Sequence, residues 1–306
     1  MRSRLIAAFA AVYIVWGSTY LAIRFAVETL PPMLMVGTRF LIAGAVLLLW
    51  ARWRDGQRPT RQDWATSAVS GTLMLACGNG AVVWAEQQVP SGIAALLVAV
   101  VPVWMVLLDW LRPGGRRPGA AVFGGLALGL AGLVLLVGPA SLQGTGGMDR
   151  LSVAVLLCGS LCWALGSVYT QRSPRATSGN VGSATQMLAG GVSSVLIAVV
   201  RGEPSQLDLA HASARSLGAL GYLIVFGSLI GFTAYLYMLA HTTAARAATY
   251  AYVNPVVAVL LGWAFANEPV TPRTLVAAAV ILGGVATITL ARDTTPRVAE
   301  PERAAA

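Results

Sequence analysis

Residues 101–110 read VPVWMVLLDW and residues 254–263 read NPVVAVLLGW. Six of the ten positions agree: Pro102/Pro255, Val103/Val256, Val106/Val259, Leu107/Leu260, Leu108/Leu261 and Trp110/Trp263. Both copies carry a proline inside a long apolar run. The echo continues on either side, because Gly78 matches Gly231, Ala94-Ala95 matches Ala247-Ala248, and Gly132 in LAGLV matches Gly284 in LGGVA. The spacing stays near 150 residues throughout. The chain therefore reads as one unit written twice.

Composition says where such a chain can live. It is 57% hydrophobic and only 11% charged over 306 residues, against about a quarter charged in an ordinary soluble protein. A surface of that kind cannot be covered by water, and the apolar stretches recur along the whole length. A helical span needs about 20 apolar residues, and ten can be drawn: 5–25, 33–51, 65–84, 91–111, 119–138, 151–171, 180–200, 216–239, 244–265 and 272–291. The expected fold is an all-α integral membrane protein with ten transmembrane helices.

The basic residues test that count. The net charge is +9 and all 21 basic residues are arginines. They fall mostly in the short breaks between apolar runs, as topology signals do, so nucleic acid is not expected as a partner. With the N-terminus inside, 15 arginines lie on the cytoplasmic side and four (Arg150, Arg201, Arg215, Arg273) on the other, with Arg24 and Arg39 within spans. One span more or fewer would spoil the alternation. A multi-pass protein of the cytoplasmic membrane with both termini inside is expected.

The basic, apolar start resembles a signal peptide. Yet Gly17-Ser18 and Tyr20 find an echo in Gly166-Ser167 and Tyr169, which ties the segment to the architecture. Five spans per unit is an odd number, so the second unit enters the membrane from the opposite side. That predicts two inverted five-helix repeats, 1–140 and 141–292, followed by a disordered cytoplasmic tail at 293–306. Inverted repeats are typical of secondary transporters, whose site lies near the midplane between the halves.

The residues WGSTY (16–20), Arg39-Phe40, SGIAALLVAVVP (91–102), AARAATYAYVNPVVAVLLGW (244–263), Glu268-Pro269 and Gly283-Gly284 carry a more specific likeness. In their order and duplication the chain resembles an EamA-type transporter of the drug/metabolite transporter superfamily, in its ten-helix, two-repeat form. The resemblance runs from about residue 5 to residue 291 and implies a plasma-membrane carrier, often an exporter of amino acids, metabolites or toxic compounds. One departure stands out. The second half has Asn267-Glu268-Pro269 where the first has Arg112-Pro113-Gly114-Gly115, so the glutamate that follows the span is missing there.

Within the spans a few polar residues stand out. Arg39 lies several residues inside the second span, and a buried cation is costly unless paired or wet; it serves either to hold a substrate carboxylate or phosphate or to bind helix carbonyls. Arg24 is nearer the outer end, where pairing with Glu28 is expected. Tyr222, Phe226, Thr233 and Tyr237 share a face of the eighth span at α-helical spacing. Asn79, Gln186, Tyr250 and Asn254 offer neutral polar groups near mid-depth. With Trp16, Tyr20, Trp84, Trp163 and Tyr237 they are the candidates for a mostly apolar substrate cavity. Pro102 and Pro255 each remove a backbone hydrogen bond and are candidate kinks or gates.

Several classes are disfavoured. Without lysine no G-x-x-x-x-G-K-[ST] phosphate loop exists, and no H-E-x-x-H or G-x-S-x-G catalytic pattern is present. Neither an enzyme nor a cofactor or metal is expected. Cys77, Cys158 and Cys162 read as apolar packing residues. Glu86 and Asp109 lie close to span ends, and Asp109 can pair with Arg112, so the sequence offers little for proton antiport and transport is expected to persist without a pH gradient. The competing reading is a non-transporting membrane sensor or scaffold that binds a small ligand or lipid in the same cavity. The partners expected are a small-molecule substrate and the lipid bilayer. Gly125 and Gly129 have the spacing of a helix-packing pair, within one chain or between two; the transport unit is taken as a monomer, with a dimer as the alternative.

Overall fold

A computed structural model of the chain describes residues 2–89, 94, 97–111, 117–137, 150–174, 176–208, 210–266 and 271–291. The tail at 293–306 and the contrast between 112–115 and 267–269 lie outside the described residues. Among the described residues the regular structure is entirely helical. We label the long helices α1 (Arg2–Ala26), α2 (Pro32–Asp55), α3 (Arg61–Ala85), α4 (Val101–Leu111) and α5 (Ala120–Val137), then α6 (Arg150–Arg172), α7 (Gly179–Val200), α8 (Ala214–His241), α9 (Tyr250–Ala266) and α10 (Pro272–Leu290).

Seven of these, α1, α2, α3, α6, α7, α8 and α10, are long and apolar enough to cross a bilayer. The fourth, fifth and ninth expected spans are described as shorter helices, and two of them are interrupted by a turn. A turn at 99–100 precedes Pro102, and a turn at 248–249 separates the single helical turn Ala244–Ala247 from α9, ahead of Pro255. Proline cannot donate to the preceding turn and its ring crowds the carbonyl four residues back, which accounts for the break ahead of Pro102; Pro255 lies inside α9, beyond the turn at 248–249. Exposed apolar side chains such as Ile6, Leu49, Leu196, Val200 and Leu290 cover the outside of the bundle. Lipid, not water, is the solvent that suits them.

Helix starts follow from the local sequence. Ser178, Ser213, Thr243 and Thr271 each accept a backbone N–H three residues on, which satisfies one of the donors that a helix start leaves free. At α3 the cap also ties two segments together. Asp63 accepts from the Thr60 N–H at 2.7 Å and the Thr60 hydroxyl at 2.7 Å, and also from the Thr177 N–H at 3.1 Å and hydroxyl at 2.6 Å. On α8, Ser216 donates to the Phe25 carbonyl at 2.7 Å, and the Ser213 N–H donates to Thr29 Oγ1 at 3.2 Å. Losing the carboxylate of Asp63 strands several donors at once. Asp63→Ala is expected to lower unfolding free energy by about 2–3 kcal/mol, read as a fall in melting temperature in detergent.

The helices pack in matched sets. The most extensive pairing is α2 with α7, and α5 with α10 is comparable to α3 with α6; α1 lies on α9 as α6 lies on α4, and α6 on α3 as α1 on α8. Shifting every helix number by five converts one member of each set into the other. Both α3 and α8 also carry a π-helical stretch, Thr72–Asn79 and Leu223–Phe232.

Small residues let these pairs close. A Cβ on Gly284 of α10 would stand 2.7 Å from the Gly125 carbonyl oxygen and 2.8 Å from the Gly129 nitrogen of α5, and one on Gly125 would stand 2.8 Å from the Gly284 carbonyl oxygen. Lipid offers no hydrophobic drive for helix association, so such backbone contact is what holds a pair. The Gly125/Gly129 face is thus used within the chain.

Candidate functional site

The two π-helical stretches prepare the centre of the bundle. A wide turn releases carbonyls from the regular ladder and turns the following side chains to a new face. In α8 this happens at Gly227-Ser228. The Gly227 carbonyl accepts from Trp16 Nε1 of α1 at 3.1 Å, and Ser228 Oγ donates to the Leu223 carbonyl five residues back at 3.1 Å. The same Ser228 oxygen accepts from Arg39 Nε of α2 at 2.7 Å.

Arg39 is 3% exposed. Its guanidinium carbon lies 4.7 Å from the centroid of the Phe40 ring, and its Nη1 is buried with no hydrogen-bond partner. Among the described residues its side chain makes no ion pair. Among the described residues this cation has no counter-charge, and it lines a cavity.

That cavity has a volume of about 80 Å³, room for several waters or the polar head of a small solute. Residues of α1, α2, α3, α6, α8 and α9 line it together with Val98 and Val101, so both halves of the chain contribute. One wall is aromatic. The Trp16 ring lies 5.5 Å from Trp163, 4.9 Å from Tyr250 and 5.1 Å from Tyr235, centroid to centroid. Tyr235 locks this wall, since its hydroxyl accepts from Trp163 Nε1 at 3.2 Å and lies 2.8 Å from Ser167 Oγ. Asn79, at the end of the π-helical stretch of α3, and Asn254, just before Pro255, also line the space. Each has a buried amide oxygen without a partner.

Seven of the ten cavity candidates meet in this space: Trp16, Tyr20, Arg39, Asn79, Trp163, Tyr250 and Asn254. Three do not line it. Trp84 packs with Ala85, Ala94 and Leu156, under the guanidinium of Arg201. Gln186 is buried where α7 crosses α3, its backbone oxygen facing Gly71. Tyr237 stacks on His241, ring centroids 4.0 Å apart. Pro102 is buried at the start of α4 and Pro255 lies within α9, next to Asn254. Phe40, Phe232, Gly227 and Ser228 were not legible as site residues. The one available signal was the Gly-Ser pair inside an otherwise apolar span.

Two of the charged groups near the ends, Glu28 and Glu86, settle differently from expectation. Glu28 pairs with Arg215 at 3.7 Å rather than with Arg24. Asp109 pairs with Arg172 of α6, and Arg112 lies outside the described residues. Glu86, expected near water, has both carboxylate oxygens buried without a partner. His211 Nδ1 lies 2.6 Å from Asp208 Oδ2 in the loop before α8, and that bond holds the Asp208 carboxyl below its usual range. Among the described residues no cluster of His, Cys, Asp and Glu could hold a metal ion, and the three cysteines are free thiols.

Comparison with known proteins agrees with this architecture. The pattern of the EamA-like transporter family matches twice, over residues 3–138 and 150–290. The "Uncharacterized inner membrane transporter YedA" of Escherichia coli (strain K12) is 40% identical over 289 residues, which is 94% of this chain and 91% of that one. The "Probable terminal-alkyne amino-acid exporter" of Streptantibioticus cattleyicolor is 26% identical, covering 92% of each. A solved crystal structure superposes with a TM-score of 0.75 at 23% identity, over 95% of this chain and 97% of that one, a likeness of fold. With one pattern matched in both halves and a relative at this identity along almost the whole length, the chain belongs to the EamA-like transporter family of membrane transporters.

Proposed function

We propose that the protein is a secondary transporter of small organic solutes, working by alternating access between two inverted five-helix repeats at 1–140 and 141–292, with ten spans and both termini cytoplasmic. The observation that carries the solute class is the Arg39 guanidinium, anchored through Nε by Ser228 while Nη1 is left unpartnered. A carboxylate or other anionic group is the ligand such a donor lacks. The unpartnered amide oxygens of Asn79 and Asn254 suit a hydrogen-bond donor on the same solute, and the aromatic wall suits an apolar body. Amino acids, acidic metabolites and amphipathic anions fit this description.

The matched helix pairings support the inverted-repeat mechanism, because two similar sets of contacts can exchange at little net cost. The broken runs ahead of Pro102 and Pro255 are the proposed hinges. Direction follows from the family resemblance and is taken as outward across the cytoplasmic membrane.

The test is efflux from proteoliposomes loaded with a mixed panel of amino acids, nucleosides, organic anions and cationic drugs, read by mass spectrometry. Carboxylate-bearing solutes are expected to leave selectively. Preferential loss of the cationic drugs would overturn the assignment of class. If solutes bind but none moves faster than from protein-free liposomes, the sensor reading replaces transport.

A further inference from the structure

Glu86 is half-buried with both carboxyl oxygens shielded and unpartnered, and this transport scheme does not use it. It sits in the turn that continues α3, with its N–H bonded to the Val82 carbonyl at 2.9 Å. Asn79, Val82 and Glu86 therefore follow one another along a single helical face, and the first two line the cavity. On α1, Tyr20 lines the cavity and Arg24 stands one turn further on. Glu86 and Arg24 are thus the next turn of the same two walls.

The surroundings of the carboxyl are specific. Both of its oxygens are shielded from solvent and neither has a hydrogen-bond partner. Arg24 acts on Glu86 through charge, and Glu86 in turn acts on Tyr20. The side chain of Arg24 is itself exposed and makes no ion pair with Glu86 within 4.0 Å among the described residues. Among the described residues the other elements packed on this end of α3 bring no compensating charge: α2 places Met33 against Gly80, α6 places Leu156 beside Ala85, and Arg201 over Trp84 has its own partner in Glu203. An ionised carboxylate without partners is far costlier in such a place than its neutral acid.

We propose that Glu86 is a proton-binding site that couples the cavity to a pH gradient. In the arrangement seen here the carboxyl holds its proton. When α1 and α3 shift so that the mouth opens, the O–H bond breaks, the proton passes to entering water, and the carboxylate left behind is stabilised by Arg24. Nothing else is consumed or formed. The inference rests on the carrier reading for its coupling arm alone, and it reverses the expectation drawn from the apparent position of Glu86 at a span end.

The test has two arms, both on the full chain. In lipid nanodiscs at neutral pH, infrared spectroscopy should show a protonated-carboxyl carbonyl band that is missing from Glu86→Gln, and Arg24→Gln should let that band persist to higher pH. In proteoliposomes with the mixed panel, a pH difference of one unit should sustain up to about a tenfold solute gradient if one proton is exchanged per solute, and Glu86→Gln should abolish that response. The absence of a Glu86-dependent band, or an undiminished gradient response in Glu86→Gln, would overturn the proposal. If no solute moves through the wild type, the transport reading fails, and the infrared band by itself upholds or overturns the proton site.

Discussion

Arg39→Met is expected to abolish selective transport of carboxylate-bearing solutes while leaving the protein as stable as the wild type, or more so. The two halves of this expectation come from one observation. A charge-assisted hydrogen bond contributes about 1.5–3 kcal/mol, and a two-point contact to a carboxylate uses at least one bond of that kind beyond the charge itself. Its loss should weaken apparent affinity by about 100-fold, at 1.4 kcal/mol per tenfold. For folding the sign is opposite. Arg39 is buried without an ion-pair partner among the described residues, and replacing an uncompensated charge by an apolar side chain of similar length is often neutral or stabilising. Against that gain, the substitution removes the bond to Ser228 and the packing on Phe40. Thermal denaturation and carboxylate flux measured on the same preparation separate the roles. A large fall in melting temperature would make Arg39 a structural residue that binds α8, and a variant that still selects carboxylates would remove it from the site. Arg39→Lys refines the test: charge is kept, the planar fork is lost, and intermediate flux is expected.

Gly284→Leu should be strongly destabilising although it lies outside the cavity. The new Cβ alone would meet the Gly125 carbonyl oxygen at 2.7 Å and the Gly129 nitrogen at 2.8 Å. Neither is a side chain that can swing aside. The helices must separate, and overpacking of this kind costs about 1–3 kcal/mol in cores where side chains can adjust. With backbone on the far side, a loss of about 3 kcal/mol or more is expected, seen as a lower melting temperature and poorer recovery of monodisperse protein. Gly283→Leu is the control. A Cβ at Gly283 meets nothing within 4 Å, so this neighbour should be tolerated. Equal damage from both would mean that α5 and α10 do not pack as described.

These two residues also show how differently parts of the molecule can be read from the chain. Arg39 is visible as a cation within an apolar run, whatever it touches. Gly284 is visible as half of an echo with Gly132, yet its partners are Gly125 and Gly129 of α5, and nothing in the spacing of Gly125 and Gly129 says whether they pack inside one chain or between two. The aromatic residues divide in the same way. Trp16 and Tyr20 are on α1, which has regular α-helical periodicity, and they stay on the face where counting by helical turns puts them. Tyr237 follows the π-helical stretch Leu223–Phe232, and each extra residue in a turn rotates everything after it by about 100°. Tyr235 is turned inward instead and Tyr237 goes to His241. Trp84 lies beyond the corresponding stretch of α3 and is displaced from the cavity likewise.

What the sequence determined by itself is what local composition and repetition encode. Apolar length makes membrane helices, a proline breaks the turn before it, a serine or threonine starts the next helix, and the duplicated pattern makes two related halves. Each of these depends on residues a few positions apart or on comparing two stretches of the same string. The tertiary structure alone decided which polar groups face one another: that Ser228 holds Arg39, that Asn79 and Asn254 share a space with it, that Glu28 answers Arg215, and that the carboxylate of Glu86 is shut away from water. Those outcomes depend on the rotation of each helix about its own axis and on its choice of neighbour. Both are set by backbone contacts and π-helical turns spread over several elements, and no single span carries them.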